Sequence, residues 1–309
     1  VSEPSTSEAL STLFGPIGAA EFLEAHWDRS WRVFHGPLSR LGFVRDQPEL
    51  LDLDRLCRAQ TGPISGYWID GGGALRELDV DGSQARVLAD AGFCLLMMEL
   101  ERWAGPVMRF VRKLALELGL PDGRVRTSAF VAPKGGVLRK HFDPLHVFSI
   151  QLVGDKTWEL ARNTEIPAPT EGHSPPGGLQ PDLLPITKVK PPVDMPADTV
   201  KVLMRPGSVL FMPRGDWHAT HAETDSISLS LGYEPPPWVD VVLAALRTEL
   251  LADARWRESA WTGRGPGPRR EAALARLAEI VPSIGEAALR VDTAAILDAL
   301  DGDRGGREG

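Results

Sequence analysis

Cysteine is scarce in this chain: Cys57 and Cys94 are the two present among 309 residues. They form no metal-type spacing, and a disulfide scaffold is implausible at this size. Positive charge is also short. Lys and Arg number 34 against 42 Asp and Glu, a net charge of −8, so non-specific nucleic-acid binding through a basic surface is not favoured. An acidic surface suits a basic partner instead. Long hydrophobic runs are missing too. The longest, "FCLLMM" at Phe93–Met98, is far too short to span a bilayer, and "VSEPSTSEALSTLFG" shows no basic-plus-apolar leader. The expectation is a cytoplasmic protein with no membrane and no nucleic-acid partner.

What remains is an ordinary globular composition, 43% hydrophobic and 25% charged. The length allows one large domain with an appendage, or two domains. "SEALSTLFG" has a serine start and a glycine stop, and "GAAEFLEAHW" brings Phe22, Leu23 and Trp27 round at helical spacing. "SGYWIDGGGAL" reads as two strands around a turn, and "DGSQARVLADAG" as an aspartate-capped helix. A helix is predicted from about Arg102 to Leu118, with Val107, Phe110, Val111, Leu114 and Leu118 on one face.

From Val125 to Tyr233 the period changes to short strands: "RTSAFVA", "HVFSIQLVG", "KTWELA", "TVKVLM", "SVLFMP" and "SISLSLGY". Many short strands with Gly and Pro turns predict a barrel or sandwich. The Pro-rich stretch 163–198 inside this region reads as a functional lid or a disordered loop. Helices resume with Trp238, Val242, Leu246 and Leu250, then "EAALARLAEIV" and "DTAAILDAL", before a polar tail. Three regions follow: a lead-in at 1–118, a barrel at 119–236 and a helical region at 237–309.

Within the barrel, "RKHFDPLHVFSIQLVGDKTWEL" places His141 and Asp143 at i and i+2, on one face of an extended strand. Polar groups driven into a barrel interior need partners. "RPGSVLFMPRGDWHAT" offers a third group, His218. Two imidazoles and one carboxylate on one face of a metal leave the opposite face open, a donor set that favours ferrous iron and its oxygen chemistry.

The two motifs together resemble the JmjC-type cupin oxygenases, and within them the ribosomal oxygenase group. "FLEAHWDRSWRVFHG" and "AGFCLLMMELERW" also look like that group's lead-in segments, so the similarity covers most of Phe22 to Trp256. The resemblance implies a mainly β fold: a double-stranded β-helix (jelly roll) with flanking helices and a C-terminal helical region. It implies Fe(II) held by His141, Asp143 and His218, with 2-oxoglutarate and dioxygen as co-substrates. Oxidative decarboxylation would give succinate and carbon dioxide while a substrate carbon gains a hydroxyl. In that family a basic residue on the next strand holds the distal carboxylate of 2-oxoglutarate; Lys156 occupies that position. Ser230, Ser228 and Ser128 would complete the pocket, Ser230 being preferred for its place on the final strand, with Thr127 beside Ser128. The similar proteins dimerise through helices after the barrel, so a homodimer is expected.

Other histidines and tryptophans are assigned plainer roles. His146 has the opposite parity to His141 and Asp143 and is placed on the outer face, with a substrate contact as the alternative. His221 is placed in a loop, and neither is expected to be a ligand. Trp158 and Trp217 are expected as core or pocket walls. The functional expectation is hydroxylation of an amino-acid side chain in a protein or peptide. The alternatives are a biosynthetic oxygenase acting on a precursor peptide or small metabolite, and a non-catalytic metal-binding interaction module.

Overall fold

The computed structural model describes residues 9–71, 75–120, 124–175, 177, 192–260 and 265–302. The chain forms two compact units, Val1–Pro235 and Pro236–Gly309.

In the first unit, short helices α1 (Ala9–Phe14) and α2 (Ala19–Ala25) lead into strand β1 (Arg32–Phe34). The serine expected to start α1 lies outside the described residues. Helices α3 (Gly42–Arg45) and α4 (Leu53–Ala59) precede the hairpin β2 (Ile64–Ile69) and β3 (Leu75–Val80). Helix α5 (Gly82–Asp90) opens with a capping box, in which the Asp81 carboxylate accepts from the Ser83 and Gln84 amides and the Gln84 side chain accepts from the Asp81 amide. Strand β4 (Cys94–Met98) and helix α6 (Gly105–Leu118) follow. The predicted start of α6 at Arg102 is too early: Leu100–Arg102 is a short 3-10 turn, and Pro106, which lacks an N–H, occupies the first turn of the α-helix.

The barrel comprises β5 (Val125–Ala132), β6 (Val137–His141), β7 (His146–Val153), β8 (Lys156–Ala161), β9 (Val200–Met204), β10 (Val209–Met212), β11 (Trp217–Ala222) and β12 (Ser226–Tyr233). They divide into two antiparallel sheets, ordered β1-β10-β7-β12-β5-β4-β2-β3 and β6-β11-β8-β9. Barrel strands β5, β7, β10 and β12 lie in the first sheet and β6, β8, β9 and β11 in the second, the two faces of a double-stranded β-helix. Strands β6 and β11 carry too many polar residues to stand out in the sequence.

The alternation along β12 explains how the layers pack. Ile227, Leu229, Leu231 and Tyr233 join the core formed with α1, α2, α6 and the outer face of β7. Ser226, Ser228, Ser230 and Gly232 point the other way, between the sheets. A serine face inside a barrel leaves room there rather than filling it. A smaller core of Val147, Trp158, Leu160, Met204, Leu210 and Met212 closes the rest of the inter-sheet space.

The stretch 163–198 is anchored where it is described. The Asn163 side chain accepts from the Ile166 amide, and Phe142 exchanges two backbone hydrogen bonds with His173. Ile166 and Met195 are buried with Phe142, Ala161 and Trp217. Residues 178–191, the middle of the expected lid, lie outside the described residues.

The second unit contains α7 (Trp238–Leu251), α8 (Pro268–Ile280), α9 (Ser283–Arg290) and α10 (Thr293–Gly302). Asp292 caps α10 by accepting from the Ala294 and Ala295 amides. Among the described residues no helix is long and apolar enough to cross a membrane.

Candidate metal centre and its cavity

His141 is the last residue of β6, and Asp143 follows in the turn before β7 rather than on the strand itself. His218 is the second residue of β11, and the register pairs it directly with His141. One nitrogen from each imidazole and one Asp143 oxygen lie within 4.8 Å of one another. Asp143 Oδ2 is 3.5 Å from His141 Nε2 and 3.6 Å from His218 Nε2.

Backbone hydrogen bonds settle which ring nitrogen faces the centre. His141 Nδ1 donates to the Arg139 carbonyl at 2.7 Å, and His218 Nδ1 donates to the Asp216 carbonyl at 3.2 Å. A carbonyl can only accept, so Nδ1 carries the hydrogen in both rings and Nε2 is left with its lone pair. Burial, and then the charge of His141, hold the His218 imidazole down to about 3. Burial opposes the charge of His141, but the neighbouring Asp143 carboxylate and the Arg139 carbonyl outweigh it and leave that ring raised. Burial likewise pushes Asp143 up, yet the two histidines bring its carboxyl down to about 2. Two lone pairs and a carboxylate converging in a half-buried place fit a divalent cation, which would satisfy all three.

The turn that delivers His218 is fixed at several points. Arg214 N donates to His146 Nδ1 at 3.2 Å, and Gly215 N donates to the Asp143 carbonyl at 2.9 Å. Gly215 has φ +87°, and a Cβ there would come 2.4 Å from the Pro169 ring. Asp216 pairs with Arg162 at 2.9 Å; burial pushes its carboxyl up to about 6, although Arg162 works against that.

A cavity of about 400 Å³ extends from these ligands between the two sheets. His141, Asp143 and His218 line it together with Lys156, Ser128, Ser228 and Ser230. All seven sequence-predicted site residues therefore border one space. Lys156, the first residue of β8, is 4% exposed, and among the described residues no carboxylate pairs with it. Burial pushes its ammonium down to about 8, with Cys94 opposing this only partly. Ser230 is opposite Ser128 on β5 and Ser149 on β7, a ladder of three hydroxyl residues across the cavity wall. Thr127 binds Glu101 instead, through its hydroxyl and through the Glu101 amide.

His146 is fully buried on the face of β7 opposite the cavity, packed against Trp27 at a 32° tilt with ring centroids 4.0 Å apart. Its expected outer-face position is right in parity, and the N-terminal segment covers it. His221 corrects an expectation: it lies in β11, not in a loop, with its side chain exposed beside Glu223. Trp158 lines the cavity and stacks on His218 at 5.6 Å, while Trp217 is buried edge-on against Phe142. Sequence reasoning missed Gln151, Ser149, Glu101 and Arg126. For Gln151 a signal existed, one amide in an otherwise apolar run.

A double-stranded β-helix that carries a two-histidine, one-carboxylate centre is the arrangement of the cupin fold class. Residues 119–241 match the JmjC domain. It is 28% identical over 265 residues to YxbC of Bacillus subtilis (strain 168), an uncharacterised protein, covering 82% of this chain and 79% of that one. It is 25% identical over 221 residues to the ribosomal protein uL16 3-hydroxylase of Escherichia coli (strain K12), covering 70% of this chain. The chain spans 52% of the length of that hydroxylase. The solved structure of YcfD, a ribosomal oxygenase from Escherichia coli in complex with cobalt and 2-oxoglutarate, has the same fold. Its TM-score is 0.53 at 17% identity, covering 93% of this chain and 70% of that chain.

Proposed function

We propose that this protein is an Fe(II)- and 2-oxoglutarate-dependent oxygenase that hydroxylates a side chain of a protein or peptide. One observation carries the reading: a three-ligand centre shares one cavity with a buried ammonium that pairs with no carboxylate among the described residues. A buried lysine without an anion is costly, and a bound dicarboxylate relieves that cost. The solved relative with cobalt and 2-oxoglutarate supports the same assignment.

In this reading His141, Asp143 and His218 hold the metal, and Lys156 holds the distal carboxylate of 2-oxoglutarate. Ferrous iron, when bound, supplies dioxygen activation coupled to oxidative decarboxylation of 2-oxoglutarate. The chain's own residues prepare the place for it. The Arg139 and Asp216 carbonyls hold both imidazoles in the Nδ1–H tautomer. Phe130, Leu138, Val147 and Trp158 keep the cavity wall apolar and exclude water. Ser230 and Ser128 offer hydroxyl donors to the co-substrate. The similarity to the uL16 3-hydroxylase supports a protein substrate, and the net charge of −8 suits a basic one.

The test is succinate formation from 2-oxoglutarate by His141→Ala and Asp143→Ala, with folding checked by circular dichroism. Folded variants that form no succinate are expected. Wild-type rates in both would overturn the metal assignment. Mass spectrometry for 2-oxoglutarate-dependent oxygen addition in candidate peptides then identifies the substrate. We assign homodimerisation to the second unit, whose helix α7 leaves Trp238, Val239, Val242 and Leu243 exposed. Light scattering that returns a monomer at micromolar concentration would refute this.

A further inference from the structure

The hydrogen-bond chain behind Lys156 has only one possible direction. Gln151, on β7, is 1% exposed, and its Nε2 lies 2.8 Å from the Val153 carbonyl and 3.0 Å from the Gly154 carbonyl. Both neighbours are acceptors, so the amide must turn its NH2 toward them and its oxygen away. That oxygen lies 2.7 Å from Ser228 Oγ on β12. An amide oxygen can only accept, so the Ser228 hydroxyl commits its single hydrogen to Gln151. What Ser228 then presents on its other side is lone pairs, and Lys156 Nζ donates to them at 2.8 Å.

Register makes this arrangement possible. Strands β7 and β12 pair Gln151 directly with Ser228, and the Val153–Gly154 turn that Gln151 clamps leads straight into Lys156. Ser228 is 1% exposed, so no water competes for its hydrogen. While the chain stands, Ser228 has no hydrogen left to donate to a bound carboxylate. Its role differs from that of Ser230.

Resting on the 2-oxoglutarate reading above, we propose that Gln151 and Ser228 are positioning residues for Lys156. They fix Nζ through a one-way hydrogen-bond chain and leave its remaining two N–H donors for the distal carboxylate of a 2-oxo dicarboxylate. A preorganised ammonium rewards a second carboxylate and offers nothing to a 2-oxo acid that ends in a methyl group. The chain therefore sets selectivity for the dicarboxylate, not affinity for 2-oxo acids in general.

The experiment is calorimetric titration of the Mn(II)-loaded full chain with 2-oxoglutarate and, separately, with 2-oxobutyrate, which lacks the distal carboxylate. Wild type is compared with Ser228→Ala, Gln151→Met, the double variant and Lys156→Met. The expected result is a loss of about tenfold in 2-oxoglutarate affinity for each of Ser228→Ala and Gln151→Met, the scale of one hydrogen bond to a charged group. 2-Oxobutyrate affinity stays the same, and the double variant is no worse than either single one, because the chain is broken once. Wild-type 2-oxoglutarate binding in Gln151→Met, or losses that add, would overturn the proposal in favour of a direct Ser228 contact. Equal losses for both acids would also overturn it, as general damage to the cavity. Should Gln151→Met fail to fold, Ser228→Ala, which leaves the Gln151 clamp on Val153 and Gly154 in place, still overturns the proposal if its 2-oxoglutarate affinity is that of wild type. A wild type that does not prefer the dicarboxylate, or a Lys156→Met that still does, sinks the Lys156 reading itself. Preference lost in Lys156→Met but kept in Ser228→Ala and Gln151→Met sinks the positioning chain alone.

Discussion

Arg162 Nη1 sits 2.9 Å from Asp216 Oδ1, and the backbone carbonyl of the same aspartate accepts the Nδ1–H of His218. One ion pair thus steadies the residue that sets the tautomer of a proposed metal ligand. Partners of this kind tune a metal site without touching the metal.

Arg162→Ala should therefore loosen the His218 turn and leave the Asp216 carboxylate, whose side chain is 3% exposed, without its counter-ion. We expect a drop of about tenfold in Mn(II) affinity by calorimetry. A stability loss of about 2 kcal/mol in urea should accompany it. Unchanged metal affinity would show that the pair does not steady His218.

Lys156 should cost the protein stability when no dicarboxylate is bound. Its folded value, about 8, lies below the ordinary lysine value of 10.5, so the unfolded chain holds the proton more tightly. The stability tied to this group is present above 10.5 and lost as pH falls through 8. At pH 7 the full penalty applies, and Lys156→Met should be more stable than wild type by about 2 kcal/mol. The gap should close between pH 8 and 10.5, and 2-oxoglutarate should raise the Tm of wild type only. Chemical denaturation across that range is the check; a less stable Lys156→Met at pH 7 would contradict the argument.

His146 should account for part of the acid sensitivity. Burial, and then the charge of Arg214, push its imidazole down to about 3, with Asp28 the facing carboxylate at 3.4 Å. The unfolded state binds the proton first, so stability is complete above about 6.5 and declines as pH falls toward 3, at up to about 1.4 kcal/mol per pH unit. His146→Gln keeps an acceptor for the Arg214 amide but cannot titrate. Between pH 6.5 and 5 it should lose about 2 kcal/mol less than wild type. Identical slopes in denaturation at the two pH values would rule His146 out.

Gly154 should tolerate no side chain. Its φ is +66°, and a Cβ would lie 2.0 Å from the Asp225 carbonyl oxygen and 2.9 Å from the Asp225 carbonyl carbon. Backbone cannot swing aside as a flexible side chain can. Gly154→Ala should cost about 3 kcal/mol or more and weaken 2-oxoglutarate binding through the displaced start of β8. Denaturation and calorimetry on the same sample would test both, and a loss under about 1 kcal/mol would contradict the clash.

Much of this protein could be read without coordinates because the relevant physics is local. Strict alternation in "SISLSLGY" marks a strand with one apolar and one polar face, whatever it packs against. His141 and Asp143 lie two residues apart, so the chain delivers them together, although Asp143 sits in the turn after β6 rather than on the strand. Lys156 inside an apolar strand announces a need for an anion. These features depend on neighbours within a few residues.

The rest depends on which strand lies beside which. Strand β6 could not be recognised from "VLRKH", since a half-exposed strand mixes polar and apolar residues. Pairing His218 with His141, Arg162 with Asp216, and Gln151 with Ser228 each joins residues far apart in the chain. Chain order determined the donor types and the alternating faces, because those are properties of side chains and of extended backbone. Only the tertiary structure decided tautomer, hydrogen direction and partner, because each is set by atoms that a folded sheet brings within about 3 Å.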